Sequence, residues 1–453
     1  MYLRGEVMQF TFKNKVKLNG VQILALGFLV VIIIGALILS LPISSKSRQS
    51  TNFLDAIFTS TSAVCVTGLI TLNTSAHWST FGQIVIMTLI EIGGLGFMSF
   101  AVLISLILGK KITLRERLVM QEAMNTFSIQ GLVRMVKYVL IFTVSVQFFG
   151  ALLLSTQFVP EYGLSKGVFY SVFHSISAFC NAGFDLFGTS LVGYSSNIVV
   201  ILVISALIII GGLGFTVLLE LYNFKGIKKL SLHAKIVIIT TIILVFGGTI
   251  LMLIFEYNNP QSIADMNIKD KVLNSFFASV TTRTAGFNSI STSGMTLASK
   301  FLTIILMLIG GSPGSTAGGL KTVTCGILVL TIISVIKGRD DTEVFGRRIT
   351  KEIVYKAFTI VFIGLSLVVG VTMILSYTEI GVSFIDLFYE TSSALGTVGL
   401  TLGLTPNLSP VGKVLIMIMM YLGRVGPLTV MLALTRKQKK TGYKYPEGKI
   451  LIG

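Results

Sequence analysis

Long apolar stretches separated by short polar ones dominate the chain. Seven of them are each about as long as the roughly 20 residues that a membrane-crossing helix needs, and they lie near 21–41, 82–108, 138–159, 197–221, 234–255, 357–377 and 412–434. An eighth stretch, 299–337, is interrupted by the polar run GGSPGSTAGGLKT at 310–322. The pattern predicts an all-α polytopic protein with eight transmembrane segments in a lipid bilayer.

Composition supports a membrane protein. Hydrophobic residues make up 53% of the chain and charged residues 12%, whereas soluble chains average about 25% charged residues. The first 20 residues lack the small-residue cleavage site of a signal peptide, so we expect the first span to stay attached. Cys65, Cys180 and Cys325 lie in apolar surroundings and predict neither a disulfide framework nor a metal site.

The net charge of +17 is distributed unevenly along the chain. If the N-terminus is cytoplasmic, 26 of the 36 Lys and Arg residues fall in the inner segments 1–20, 109–137, 222–235, 337–356 and 435–453. This positive-inside bias predicts that both termini are cytoplasmic. It also accounts for the basic charge without a nucleic-acid partner.

A shorter apolar segment lies between the two spans of each pair, and these segments repeat. FLDAIFTSTSAVCVTGL (53–69) and FIDLFYETSSALGTVGL (384–400) align residue for residue. Anchoring on their glycines adds GVFYSVFHSISAFCNAGF (167–184) and VLNSFFASVTTRTAGF (272–287). The matched glycines are Gly68, Gly183, Gly286 and Gly399, and the residues ten before them are Phe58, Phe173, Phe276 and Tyr389.

The chain is therefore divided into four tandem helix–pore-loop–helix repeats. Their expected ranges are 21–109, 133–224, 232–337 and 351–434, between a cytoplasmic N-terminus (1–20) and tail (435–453). The second span of each repeat carries a related motif: IGGLGF (92–97), IGGLGF (210–215), IGGSPG (309–314) and LGRVGP (422–427). Repeats of the same in–out–in polarity predict a pseudo-fourfold axis along the membrane normal, which is the geometry of a pore.

The re-entrant segments have the chemistry of a cation site. Asn52 with Asp55 and Ser383 with Asp386 have N-cap spacing, so the pore helices are expected to begin at the outer face. Their C-terminal ends then point inwards and favour a cation on the axis. The sequences VCVTG, FCNAG, TRTAG and LGTVG contain no carboxylate. Rings of backbone carbonyls therefore suit a dehydrated monovalent cation better than Ca²⁺ or Mg²⁺.

In combination, the motifs VTGL, NAGF, RTAGFNS and GTVGLTLGLTP resemble those of the Trk/Ktr/HKT superfamily of potassium transporters, most closely its bacterial KtrB type. The resemblance covers nearly the whole chain and implies a potassium channel-like pore with one filter glycine per repeat. It places K⁺ at carbonyls around the four matched glycines. The implied filter residues are Val64, Cys65, Val66, Thr67, Gly68, Phe179, Cys180, Asn181, Ala182, Gly183, Thr282, Arg283, Thr284, Ala285, Gly286, Leu395, Gly396, Thr397, Val398 and Gly399.

The interrupted stretch 299–337 is almost twice as long as one crossing needs. Polar backbone at that depth must line a cavity, and symmetry places it just inside the filter. The resemblance implies an intramembrane gating loop held shut by an arginine. The implied gate residues are Gly310, Gly311, Ser312, Pro313, Gly314, Ser315, Thr316, Ala317, Gly318, Gly319, Lys321 and Arg424.

The resemblance also implies a location and partners. It implies a multi-pass protein of the bacterial cell membrane that forms a homodimer with one pore in each monomer. A cytosolic ring of nucleotide-binding RCK subunits, of the KtrA or KtrC type, would bind ATP or ADP. The basic inner loops and the tail are the docking surfaces that the sequence offers, and no organic cofactor is expected in this chain.

The roles of several charged residues stay open at this stage. Arg424 is either a packing residue bonded to loop carbonyls or also a charge facing the permeation path. Lys321 lines the inner cavity or snorkels, and Arg283 is expected to point behind the filter. The partner of Glu91 cannot be read from the sequence. The three histidines, His77, His174 and His233, are too scattered for metal or acid–base chemistry and are expected to be structural.

Three other functions were weighed against a pore. A membrane enzyme would need clustered Asp, Glu or His residues, and the 19 acidic residues show no such spacing. A proton-coupled transporter normally has a midplane carboxylate, for which only Glu91 qualifies. The run 310–322 misses the phosphate-loop pattern because Leu320 separates Gly319 from Lys321, and no strand precedes it.

Overall fold

The computed structural model describes residues 20–96, 132–224 and 226–434. Each repeat begins with a long first helix, and these four helices are apolar and long enough to cross a membrane. Their exposed faces carry large apolar side chains such as Val30, Phe149 and Phe246, which suits contact with lipid. The first helices span Gly20–Ser40, Leu132–Tyr162, Leu232–Glu256 and Lys351–Thr378.

A shorter pore helix follows the first helix in each repeat. Asn52 caps the first pore helix by accepting a hydrogen bond from the Leu54 backbone N–H, and Ser383 caps the fourth by accepting one from Asp386. The C-terminal halves of these helices are buried in the centre of the molecule. The pore helices span Phe53–Cys65, Leu164–Phe179, Ile268–Thr281 and Phe384–Gly396.

The second helix of every repeat ends at the matched motif. Only the third repeat was expected to break there, but Gly96, Gly214, Gly314 and Gly426 all adopt positive φ angles of 67° to 95°. An α-helix cannot continue through such a residue. In repeat 2 the two halves are bent by 102°. The second helices comprise Thr80–Leu95; Ile198–Leu213 with Phe215–Tyr222; Leu297–Leu308 with Thr322–Ile336; and Pro410–Val425 with Pro427–Leu434.

Close packing explains the first glycine of the motif. In repeats 1, 2 and 4, a β-carbon on this residue would collide with a backbone carbonyl at the end of the pore helix of the same repeat. The colliding pairs are Gly93 with Val64, Gly211 with Phe179 and Gly423 with Leu395. The motif therefore lets the second helix lie directly against the segment that follows the pore helix.

The third pore segment is one residue shorter than the sequence alignment implied. The fully buried ring at the matched position is Phe277, not Phe276, and it corresponds to Phe58, Phe173 and Tyr389. The cause is a tighter turn: the Ala285 N–H bonds to the carbonyl four residues back. In the other repeats the corresponding N–H bonds five residues back. Aligning on the glycine alone therefore shifts this helix by one position.

The remaining elements are short and connect the longer helices. A hairpin of Thr342–Val344 and Arg347–Ile349 connects repeats 3 and 4, and the Arg348–Asp341 ion pair of 3.0 Å braces it. The charged run DDTEVFGRR is thus an exposed hairpin. The short helices are Thr74–His77, Pro42–Ser44, Val192–Tyr194, Ile227–Lys229 and Thr405–Asn407.

The arrangement confirms the predicted fold class, an all-helical membrane protein with pore-loop repeats around a central axis. The exact repeat boundaries stay a prediction from sequence. Residues 1–19, 97–131 and 435–453, which include the N-terminus, an inner loop and the tail, lie outside the described residues.

Candidate functional site

The four matched glycines form a closed ring at the centre of the molecule. A β-carbon built on Gly68 would lie 3.1 Å from the Gly183 α-carbon, and one on Gly183 would lie 2.9 Å from the Gly286 α-carbon. In the same way, a β-carbon built on Gly286 would lie 3.3 Å from the Gly399 α-carbon, and one on Gly399 would lie 3.0 Å from the Gly68 α-carbon, which closes the ring. The repeats therefore meet in the order 1–2–3–4, so that repeats 1 and 3 are diagonally opposite, as are repeats 2 and 4.

Backbone carbonyl oxygens crowd this ring. The nearest atom to each built β-carbon is the carbonyl oxygen of the residue before the next glycine. These oxygens belong to Ala182, Ala285, Val398 and Thr67. Any side chain at a ring glycine would collide with them, so the ring excludes every residue larger than glycine.

A second backbone feature is shared by the four repeats and lies two residues before each ring glycine. Val66, Asn181, Thr284 and Thr397 have φ angles of 52° to 65°, although none is glycine. Such left-handed residues cost of order 1–3 kcal/mol each and persist only where the surroundings impose them. The strained turn redirects the chain from the pore helix into the ring in all four repeats.

Hydroxyl groups at the ends of the pore helices hold the ring segments. Ser62 and Ser393 accept hydrogen bonds of 3.0 Å from the backbone N–H groups of Gly68 and Gly399. In repeat 2, Ser177 donates to the Phe184 carbonyl at 2.8 Å. In repeat 3, Thr281 donates to the corresponding carbonyl of Phe287. Sequence reasoning missed these four residues, although each is a hydroxyl residue five (Thr281) or six (Ser62, Ser177, Ser393) positions before its ring glycine.

Three hydroxyl groups in the ring segments are buried and have no hydrogen-bond partner within the described part of the chain: those of Thr67, Thr284 and Thr397. The twenty predicted filter residues contain no carboxylate. Unpartnered neutral oxygens beside a ring of carbonyls are the donor set expected for a partly dehydrated monovalent cation.

The predicted gating loop crosses the molecule directly below the ring. On the repeat 2 side, Ser312 and Thr316 donate backbone hydrogen bonds to the carbonyls of Gly212 and Gly211. The Thr316 hydroxyl bonds to the Phe179 carbonyl at 3.0 Å and to the Asn181 side chain at 3.2 Å. The loop is thus attached to the second helix and to the ring segment of repeat 2.

The other end of the loop contacts repeat 4. Gly319 donates to the Gly423 carbonyl at 3.2 Å, and a β-carbon on Gly318 would collide with the Thr397 side chain. Lys321 bends back and donates to the Ala317 carbonyl at 2.8 Å. The loop therefore extends from repeat 2 to repeat 4, which are diagonally opposite around the ring.

Arg424 contacts both the loop and repeat 1 below the ring. It occupies the motif position that is glycine in the other repeats, namely Gly94, Gly212 and Gly311. Its guanidinium donates to the Thr316 carbonyl in the loop and to the carbonyls of Gly93 and Gly94 in repeat 1, the last at 3.0 Å. One side chain from repeat 4 thus joins repeats 1 and 3 across the axis.

Comparison with known proteins identifies the family. A family model described as TrkH, cation transport protein, matches residues 8–442. This chain belongs to the TrkH family of cation transport proteins. It is 47% identical over 444 residues to the potassium/sodium uptake protein NtpJ of Enterococcus hirae, covering 96% of this chain and 98% of that protein. It is also 43% identical to Ktr system potassium uptake protein B of Bacillus subtilis, covering 95% and 96% of the two chains.

A solved structure has the same fold. The TrkH potassium transporter of Vibrio parahaemolyticus superposes with a TM-score of 0.72 over 93% of this chain and 86% of that chain, at 20% identity. As a TrkH family member, the protein is a multi-pass membrane transporter and not an enzyme. The recognition made from the pore-segment motifs is confirmed.

Two titratable side chains of this TrkH family member, the buried Arg283 and the partly buried Glu91, contact the segments around the ring. Arg283 donates to the Ile309 and Gly310 carbonyls at 3.2 and 3.4 Å, where the gating loop begins. Glu91 accepts hydrogen bonds from Gln147 at 2.8 Å and from the Cys180 thiol at 3.3 Å. Glu91 therefore joins the second helix of repeat 1 to the first helix and ring segment of repeat 2.

Proposed function

We propose that this protein conducts potassium across the cell membrane through a single pore per chain, with the glycine ring as its selectivity filter. The observation that carries the proposal is the closed ring of Gly68, Gly183, Gly286 and Gly399 with a carbonyl oxygen at every junction. Carbonyl rings replace the hydration shell of a permeating ion. The absence of carboxylates from the predicted filter residues favours a monovalent over a divalent ion.

The loop at 310–322 acts as the gate in this proposal. Its two ends bond to opposite repeats and Arg424 ties it to a third, so it fills the path below the filter. Arg424 adds a fixed positive charge to that path, which raises the barrier for a cation. Opening requires these backbone hydrogen bonds to break while the small residues of the loop move aside.

The named relatives support potassium uptake within a larger system. One is called a potassium/sodium uptake protein and another a Ktr system potassium uptake protein. We propose that this chain is the membrane subunit of a Ktr-type system in a bacterial cell membrane. It would assemble as a homodimer on a cytosolic RCK ring of the KtrA or KtrC type that binds ATP or ADP.

Uptake in a potassium-requiring host tests the filter. Gly399→Asp is expected to abolish potassium uptake, because a side chain there collides with the Thr67 carbonyl and adds a charge to the filter. Gly193→Asp is the control, since Gly193 lies in an exposed outer loop with no atom near its built β-carbon. Normal potassium uptake by a membrane-inserted Gly399→Asp variant would refute the filter assignment.

Competition with sodium in the same host tests whether the protein selects potassium over sodium, the two ions that occur in the names of the relatives. A potassium filter predicts that excess sodium leaves potassium uptake nearly unchanged. Equal competition would assign the protein to unselective monovalent cation transport. Adding and omitting the cytosolic subunit measures how far the pore depends on it.

A further inference from the structure

One position behind the filter differs in a regular way among the four repeats. It directly follows the matched buried aromatic ring of the pore helix. The residues there are Thr59, His174, Ala278 and Glu390. The two diagonally opposite repeats, 2 and 4, therefore carry fully buried titratable side chains, His174 and Glu390, at the same structural position.

His174 joins its pore helix to the chain that leaves the filter. Its Nε2 accepts a hydrogen bond of 3.2 Å from the Leu186 backbone N–H, three residues beyond Gly183. Its Nδ1 lies 2.7 Å from the Tyr170 carbonyl and must therefore carry the proton. The imidazole also stacks on Phe187 at 4.3 Å. Both nitrogens are satisfied by the neutral ring, and one of them holds the exit segment.

Glu390 makes the equivalent connection in repeat 4. Its Oε2 accepts a hydrogen bond of 2.8 Å from the Thr401 hydroxyl, two residues beyond Gly399. Its Oε1 accepts one from the Thr405 hydroxyl in the same exit segment. A buried carboxylate is tolerated where hydrogen-bond donors meet both of its oxygens. The pair of threonines supplies those donors.

Repeat 1 provides an internal contrast. Thr59 donates to the Asp55 carbonyl of its own helix at 2.9 Å and, within the described part of the chain, makes no hydrogen bond to the exit segment. Ala278 in repeat 3 has no polar side chain. Side-chain bracing from this position to the filter exit is therefore found, among the described residues, in the two opposite repeats 2 and 4.

We propose that His174 and Glu390 are positioning residues that fix the outer edge of the filter from two opposite sides and thereby determine its discrimination of potassium from sodium. Selectivity by carbonyl rings depends on how firmly the ring keeps its size or field strength. Two opposed braces restrict its expansion and contraction along one diagonal. The proposal rests on the proposed function, because it names what controls the selectivity of that filter.

The experiment compares potassium and sodium flux into liposomes carrying purified protein. Glu390→Leu and His174→Phe keep bulk but lose the hydrogen bonds to the exit segment. Each is expected to reduce the potassium-to-sodium flux ratio by about tenfold, which corresponds to about 1.4 kcal/mol of discrimination. Glu390→Gln and His174→Gln retain an acceptor oxygen for the exit segment and are expected to keep the ratio within about threefold of the parent, a difference of under 1 kcal/mol.

Thr59→Val is the matched control and is expected to leave the flux ratio unchanged. Thr405→Ala removes one donor while leaving the pore helix intact, so it tests the brace if Glu390→Leu fails to fold. An unchanged ratio in folded Glu390→Leu, His174→Phe and Thr405→Ala proteins overturns the inference, even if total flux falls. Failure of the parent protein to conduct potassium would instead overturn the proposed function.

Discussion

The second helices of repeats 2 and 3 are interrupted at the same motif, but by very different lengths of chain. In repeat 2 a single residue, Gly214, separates two helices bent by 102°. In repeat 3 the break extends from Leu308 to Thr322, and Pro313 occupies the motif position equivalent to Gly214. The loop is thus an elaboration of a helix end that all four repeats share at this motif, not a disruption peculiar to one of them.

The contacts between the breaks of repeats 2 and 3 make the proposed gate asymmetric in an otherwise fourfold arrangement of repeats. The two breaks are in contact, since the Phe215 N–H donates to the Gly314 carbonyl at 2.9 Å. Ser312 and Thr316 use the carbonyls that the end of a helix leaves free at Gly212 and Gly211. The break in repeat 2 therefore supplies the docking groups for the loop of repeat 3.

The largest effect is expected from removing what distinguishes repeat 3. Deleting 312–318 takes away the loop residues bonded to repeat 2 and the Thr316 carbonyl bonded to Arg424. Potassium flux into liposomes is expected to rise at least about tenfold, because the path below the filter loses its obstruction. Unchanged or lower flux from a folded deletion protein would count against a gate.

Arg424→Gly tests the side chain that joins the loop to repeat 1. Glycine is the residue at this position in the other three repeats, so the backbone should tolerate it. Flux is expected to rise about fivefold, since both the positive charge and its hydrogen bonds to loop and repeat 1 are lost, a change of about 1 kcal/mol.

Arg424→Lys is the matched control for that variant. It keeps the charge but loses the guanidinium fork that reaches two separate repeats. A smaller increase in flux than for Arg424→Gly is expected. Equal flux from parent, lysine and glycine variants would show that Arg424 has only a packing role.

Alanine substitutions at Gly214 and Gly96 should distinguish the effect of loop docking from the effect of the backbone conformation at the helix end. Gly214→Ala places a β-carbon 2.7 Å from the Pro313 carbonyl of the loop, whereas a β-carbon at Gly96 has no atom of the described residues within 4 Å. Both variants force a positive φ on alanine and should lower the free energy of unfolding by roughly 1–3 kcal/mol. Only Gly214→Ala is expected to change flux, by about twofold to threefold, because it displaces the loop. Similar flux changes at both positions would contradict loop docking at repeat 2.

The smallest effect is expected at Thr316. Thr316→Val removes the hydroxyl bonds to Phe179 and Asn181 but keeps the backbone bond to Gly211. The single hydroxyl proton is shared between these two acceptors, so its loss costs about 1 kcal/mol, which apolar contact partly replaces, and flux should rise no more than about twofold. Thr331→Val, a change to a hydroxyl that bonds outside this region, is the control.

Repetition made much of this molecule predictable from sequence. The four matched glycines predicted the pore helices and the order of the segments along the chain. The length of 299–337 predicted the loop. The breaks at Gly96, Gly214 and Gly426 were missed, because an apolar run gives no sign that a glycine within it has a positive φ. The shift at Phe277 was missed because the tighter turn at Ala285 is a backbone property with no sequence marker.

Contacts between distant segments were the least predictable. The Glu91–Gln147 pair and the Glu390–Thr405 pair depend on how helices pack, and neither partner is marked by spacing. The reach of Arg424 to both Thr316 and Gly94 follows from the diagonal placement of repeats 1 and 3. That placement follows from the closed ring of glycines in the structure and has no marker in the sequence.

The most direct measurement is potassium flux into liposomes by four purified proteins: the parent, the 312–318 deletion, Gly399→Asp, and the deletion combined with Gly399→Asp. A filter above a gate predicts higher flux for the deletion and no flux for either protein carrying Gly399→Asp, without a proton gradient or any other substrate. High flux through the combined variant would contradict the account, because ions would then cross without passing the glycine ring.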